Sequence, residues 1–355
     1  MAARVLAPGL GAVTACCGEG GELSPYLQPG EGYATLAFRY LHSFRDFHGD
    51  EDIPVPSNKF LYADTHVYGF LLALTYQVTD RFSISVDEPF QYGTRDTFYE
   101  HTADFVTYHG IHRMEARGPG DLRIIGSMWL LDPKTHYHGN VSVGLGVKLP
   151  TGNYRATDLS YRSDPPVYRP VDPAIQPGNG GTGIATGVQA FQRISNNLYA
   201  YLEGTYLMEP RDSNGTQFPA GDLTIPGAGA RINHPFAYES VPDSYFGRGG
   251  IGIVLWPEYG LALTLGGRID GVPPDDVLGS NKKGTRITGY SVYFEPGITI
   301  TKGRYTFSVT GPVAVRRYAG TDPAADRILK KFPDAQLGFA ALADYLVTTS
   351  ISVRF

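Results

Sequence analysis

The chain has 355 residues, a formal net charge of −5 and a charged content of only 18%, so it offers no basic footprint for nucleic acid. Its 44 glycines, 24 tyrosines and 18 phenylalanines favour one β-rich unit. Mean hydropathy is −0.18. The absence of any apolar run of about 18 residues argues against a transmembrane helix, but not against a barrel, whose strands alternate.

Residues 1–30 read as an export segment. "MAARVLAPGLGAVTACC" has one arginine and a short apolar stretch broken by Pro8, Gly9 and Gly11, then Val13-Thr14-Ala15. That resembles the end of a secretory signal with a small-residue cleavage site. "VTAC" also resembles a lipobox with Cys16 as the lipidated residue, and a mis-chosen start codon is a third reading. The two cysteines, Cys16 and Cys17, are adjacent and cannot brace the body of the chain.

Residues 31–355 then show about twelve alternating segments, at 31–47, 61–79, 81–97, 118–132, 140–154, 180–194, 198–210, 245–257, 261–278, 286–301, 305–322 and 340–355. The connections alternate in length. Short ones, at 78–81, 132–140, 195–197, 257–260 and 301–304, are built from turn residues. Long ones fall at 48–60, 98–117, 155–179, 211–244, 271–285 and 323–339. An even strand count, sorted loops and strands longer than the usual 5–6 residues of globular sheets predict an all-β fold. The expectation is a transmembrane antiparallel up-and-down β-barrel of the bacterial outer membrane, not a Greek-key sandwich.

The two faces of the strands agree. "NVSVGLGVKL" sets Val141, Val143, Leu145, Val147 and Leu149 against Ser142, Gly144, Gly146 and Lys148. "RFSISVDEPF" sets Phe82, Ile84 and Val86 against Ser83, Ser85 and Asp87. A cationic side chain on the lipid face costs about 2–4 kcal/mol at the midplane, so charges within strands are expected to point inward. Parity makes Arg39, Asp87, Arg123, Lys148, Glu203, Arg268, Glu295, Arg316 and Arg354 the candidate pore-lining set. With both signs present, they form either a structural plug of salt bridges or a selective polar constriction. Aromatic residues near strand ends, among them Phe82, Tyr199, Tyr201, Trp256, Tyr259, Tyr305, Phe307 and Tyr345, predict interfacial girdles.

"GPGDLRIIGSMWLLD" (118–132), followed by "VSVGLGVKLPTGNY" (141–154), resembles the outer-membrane proteins linked to meta-pathway phenol degradation; "EGYATLAFRYLHSFRDFHG" is also similar. The resemblance implies an outer-membrane barrel that moves aromatic or other hydrophobic compounds, without cofactor and without catalytic residues to carry over. Gly118, Pro119 and Gly120 suit a sharp start to the fourth strand, and Pro150 and Gly152 an end to regular pairing. Phe355, closing the alternation of "YLVTTSISVRF", looks like the signal that such barrels present to the barrel assembly machinery. The other expected partners are outer-membrane lipid, lipopolysaccharide and a small-molecule solute.

Other chemistry was weaker. His101, His109 and His112 with Glu100 and Asp104 match no closed metal spacing, and "HGDED" (48–52) lacks an EF-hand's alternation, so no metal is expected at either. "RDSNGTQ" (211–217) and "RINHPF" (231–236) only faintly echo a rim hydrolase, since no strand-borne base precedes the serine. The alternative to a channel is a non-conducting structural or surface-binding barrel.

Overall fold

The computed structural model describes residues 26–53, 63–103, 106–161, 165–217, 238–279, 284, 286–321, 326, 330 and 339–355. Most of the expected export segment, Cys16 included, lies outside the described residues. Among those described, twelve strands form one closed antiparallel wall. They are β1 (Gly32–Ser43), β2 (Ala63–Gln77), β3 (Phe82–Ala103), β4 (Arg123–Trp129), β5 (Gly139–Lys148), β6 (Gly183–Arg193), β7 (Leu198–Met208), β8 (Ser244–Trp256), β9 (Leu261–Val272), β10 (Thr288–Lys302), β11 (Tyr305–Thr310) and β12 (Tyr345–Arg354). Each pairs with the next, and β12 closes on β1 from Tyr33↔Arg354 to His42↔Tyr345. A closed ring leaves no strand edge to satisfy, which is what a lipid-embedded sheet requires.

The wall obeys the period of two. Leu36, Leu72, Leu74, Leu145, Ile251, Leu265, Phe307 and Ile351 stand exposed on the outside, forming an apolar band. Inward hydroxyls pair across strands: Thr35 Oγ1 lies 2.8 Å from Ser352 Oγ, and Ser308 Oγ 2.7 Å from Ser350 Oγ. This division, apolar without and polar within, inverts a soluble core and defines a membrane-spanning barrel. The short connections gather at one end. There Gly303, at φ 57°, makes the tight turn from β10 to β11 that a residue with Cβ would resist.

Three expectations change. The presumed loop at 98–117 is a projecting hairpin: β3 runs 22 residues and pairs through its upper half with Val106–Pro119, from Phe90↔Pro119 to Ala103↔Val106. The fourth strand therefore starts at Arg123, after a break at Gly120–Leu122. Tyr199 and Tyr201 belong to no girdle; both are buried inside the lumen, whereas Trp256, Tyr259, Tyr305 and Phe307 do stand outside.

A second wall break, at Gly311-Pro312, separates β11 from Val313–Gly320, which pairs with the upper part of β10. There the register shifts between Val292↔Arg316 and Tyr293↔Ala314, so Val315 is an extra residue in the ladder. A bulge of this kind reverses the parity beyond it. Arg316 consequently turns outward and pairs with Asp50 at 3.4 Å, correcting its inward assignment, while Arg317 turns in and meets Asp344.

Candidate functional site in the barrel lumen

The interior is layered. Across its middle lie buried charges of both signs, contributed by nearly every part of the wall. Arg248 of β8 places Nη2 2.8 Å from Glu203 of β7 and Nη1 3.4 Å from Glu295 of β10. Arg268 of β9 reaches Glu295 at 3.6 Å and Asp270 at 3.0 Å, with its guanidinium carbon 4.7 Å above the Phe246 ring. Arg39 of β1 is within electrostatic reach of Arg268, Asp270 and Tyr293 on one side and of Arg123 on the other. Asp87 and Lys148 flank Arg123 in register on the neighbouring strands. Ions taken out of water are tolerated only when paired this closely, because each lone charge would cost several kcal/mol.

Lys148 extends the network upward. Its Nζ donates to Asp121 Oδ2 at 2.9 Å, to Asn179 Oδ1 at 2.5 Å and to the Gly181 carbonyl at 2.7 Å, and it lies 2.9 Å from Glu209. Asp121 in turn accepts the backbone N–H groups of Gly152 and Asn179, each at 3.0 Å. The motif residues that suggested a sharp strand start thus have a further use: the chain at Gly120, Gly152 and Gly178 crosses itself backbone to backbone. A Cβ on Gly152 would stand 2.7 Å from the Gly120 carbonyl carbon and 2.8 Å from Gly178 Cα. Only glycine permits that approach.

The crossing folds the segment after β5 into the upper lumen. Val171 and Ile175 are fully buried there, packed with Leu41, Val67, Met114, Ala343 and Leu346. Ile175 presses on the bare wall at Gly93, where a Cβ would come within 2.8 Å. Gln176 holds the segment's shape, donating to the carbonyls of Ala156 at 3.1 Å and Val171 at 3.3 Å, while Gln91 donates to its carbonyl at 3.3 Å. Over this plug lies a small sheet of Asp46–His48, Glu51–Ile53 and Phe339–Ala341.

Below the charges the lumen opens into a chamber of about 130 Å³. Ser83, Ser85, Ser127, Ser142, Thr75, Thr205, Gly144 and Gly187 line it, Asp87 and Glu203 border it above, and Leu27 and Trp129 below. The space exists because the inward residues of β3 to β7 are small. Its floor is aromatic. Tyr26, entering from the short-turn end, sets its ring 5.0 Å from Trp129 and 5.6 Å from Phe191, edge to face, and donates its hydroxyl to the His136 carbonyl at 2.7 Å. Tyr199, Tyr201, Val254 and Ala262 complete the cluster.

Of the residues singled out by parity, Arg39, Asp87, Arg123, Lys148, Glu203, Arg268 and Glu295 meet in or beside the middle layer, all buried. Arg354 stands apart at the short-turn mouth, 2.6 Å from Glu31. Phe355 is exposed there, exchanging backbone hydrogen bonds of 3.0 Å with Gly32. Arg248 and Asp270 were missed, although both carry the signal: Asp270 shares parity with Arg268 two residues away, and Arg248 sits mid-strand in "YFGRGG". Among the earlier metal candidates, Asp104 and the side chains of Glu100, His101 and His109 lie outside the described residues, and His112 stacks on Tyr161 at 3.8 Å. In "HGDED", Asp52 pairs with Arg45 at 3.0 Å. Ser213 donates its hydroxyl to the Glu239 carbonyl at 2.8 Å, and the 231–236 segment lies outside the described residues.

No family model and no curated protein matches the chain. The likeness to proteins linked to phenol degradation therefore stands on the residues at 31–49, 118–132 and 141–154 alone, and that link is not shown. Among solved structures, an outer-membrane channel of Pseudomonas putida F1 superposes with a TM-score of 0.54 at 11% identity, over 93% of this chain and 97% of that one. The toluene transporter of Ralstonia pickettii aligns over 98% of both chains at 8% identity and a TM-score of 0.46. The first likeness gives the fold as that of an outer-membrane β-barrel. With the apolar outer band it puts the chain in the bacterial outer membrane.

Proposed function

We propose that the barrel is a passive channel for small solutes, hydrophobic or aromatic ones among them, with the internal chamber as a station on the route. The chamber itself carries this reading. Its volume of about 130 Å³ is close to that of protein cavities of about 150 Å³ known to hold benzene. An aromatic floor and a hydroxyl-rich wall suit a ring bearing a polar substituent. Passage would follow the solute's gradient and needs no cofactor. The residues bordering the chamber, Asp87 and Glu203 with their partners Arg123 and Arg248, would select what crosses.

A non-conducting structural barrel is the competing reading, favoured by the close pairing of the middle layer and by the plug above it. Conductance of the purified barrel in planar bilayers, with uptake of a labelled aromatic solute at low concentration by cells with and without the gene, separates the two. Discrete conductance steps and slowed uptake on deletion support the channel. Silence in both assays rejects it.

A further inference from the structure

We propose that His42, Asp64 and His66 form a binding site for a divalent transition-metal ion on the outer wall, at the long-loop end of β1 and β2. His42 and His66 are direct register partners on neighbouring strands, and Asp64 precedes His66 by two residues on the same face. The two imidazoles stack with centroids 4.2 Å apart and planes at 8°, so their Nε2 atoms project side by side. Both point at one carboxylate oxygen: Asp64 Oδ1 is 2.8 Å from His42 Nε2 and 3.4 Å from His66 Nε2. The donor atoms lie within 4.8 Å of one another. A tetrahedral ion with bonds of about 2.0 Å holds its donors roughly 3.3 Å apart, so small side-chain rotations suffice to admit it.

A second feature points the same way. The other nitrogen of each ring faces a tyrosine hydroxyl. His66 Nδ1 lies 2.8 Å from Tyr40 Oη, and His42 Nδ1 3.4 Å from Tyr345 Oη. A phenol accepts as well as donates, so each can take an Nδ1–H and leave the Nε2 lone pair for the ion. Histidine ligands in metal sites are oriented by such outer partners. Two imidazoles and one carboxylate suit Zn²⁺, Cu²⁺ or Ni²⁺ better than Ca²⁺ or Mg²⁺, which favour all-oxygen sets.

The position allows access. His42 shares the outward face with Leu36, and the side chains of His42, His66 and Asp64 remain 18%, 26% and 27% exposed. Ten residues of strand at about 3.3 Å each, tilted by about 40°, raise His42 roughly 25 Å above Gly32, the height at which the apolar band gives way to headgroups. The neighbouring Asp96 is held bidentately by Arg113, at 2.7 and 2.8 Å, and supplies no further ligand. A coordination position is left for water or a membrane-surface anion. Through Tyr345 of β12, the site straddles the seam where the ring closes.

The test uses the folded barrel in detergent micelles with Cu²⁺ and Zn²⁺ as probes. One tight Cu²⁺ per barrel is expected, with electron paramagnetic resonance showing coupling to two imidazole nitrogens. His42→Gln should remove one coupling and weaken Zn²⁺ binding at least 100-fold. Tyr40→Phe should weaken it about 10-fold with both couplings kept, in line with the loss of an outer partner. The control His48→Gln should change neither. Folding of every variant is followed by heat-modifiable gel mobility, and Asp64→Asn serves if His42→Gln does not fold. No tight site in the wild-type barrel, or unchanged spectrum and affinity in the substituted one, overturns the assignment.

Discussion

Lys148 and Asp121 meet at 2.9 Å with both side chains buried, and this contact ties the break in the fourth wall strand to the segment that plugs the upper lumen. Lys148 also compensates Glu209, which is fully buried. Lys148→Met would strand two carboxylates without their cation, and breaking a buried pair from one side costs about 3–5 kcal/mol. Urea unfolding of the lipid-reconstituted barrel should show a loss of that order. A change below about 1 kcal/mol would mean that the pair is structurally idle.

The chamber should respond to filling. Gly187 faces it with no neighbour nearer than 3.8 Å to an added Cβ, so Gly187→Leu can be built without breaking the wall. Single-channel conductance and aromatic uptake should fall while the heat-modifiable folded form stays at wild-type level. Equal conductance in both proteins would place the permeation route elsewhere.

The closure seam is tightly packed. A Cβ on Gly32 would lie 2.6 Å from both the Phe355 ring and the Thr75 carbonyl oxygen. Gly32→Val should therefore reduce stability by about 1–3 kcal/mol through overpacking. Phe355→Ala should relieve part of that defect in the double variant, although alone it lowers the yield of folded barrel. Simple additivity of the two changes would show that they do not share the contact.

Burial of Asp46, in the sheet over the plug, pushes its carboxyl up to about 6, with Arg95 opposing the rise. An unfolded carboxyl titrates near pH 4, so between about pH 4 and 6 the folded sheet holds more protons than the opened one. Stability must then fall as pH rises through that window and level off above it. Hydrogen exchange at Phe47 and Ala340, corrected for intrinsic rates, should show greater protection at pH 4.5 than at pH 7.5. Asp46→Asn should flatten the difference. Greater protection at the higher pH would contradict the shift.

Much of this architecture was legible because a barrel wall imposes one rule on every residue. Alternation in "NVSVGLGVKL" and the short turns at 195–197 and 301–304 were enough to place the strands and the inward face of Arg39, Asp87 and Lys148. Parity failed at Arg316 because one extra residue, Val315, reverses the face, and nothing in "VAVRRY" marks a bulge before the partner strand is known. Tyr199 and Tyr201 misled for a different reason: residue type suggested an interface, while their parity, shared with Glu203, already pointed inward. The plug was invisible, since Ile175 and Gln176 sit in no periodic segment. The cluster of His42, Asp64 and His66 joins two strands whose register only the fold supplies.

The chamber lies between two seals, the ring of Tyr26, Trp129 and Phe191 below and the Arg248 and Arg268 network above. Seals arranged this way behave as resistors in series, and the larger one sets the current. Loosening the lower seal alone should barely raise steady flux, yet it should speed the exchange of a fluorescent aromatic between chamber and short-turn side. A Tyr26 variant would then fill and empty readily while leaking little. Loosening both seals should raise steady flux more than loosening either alone.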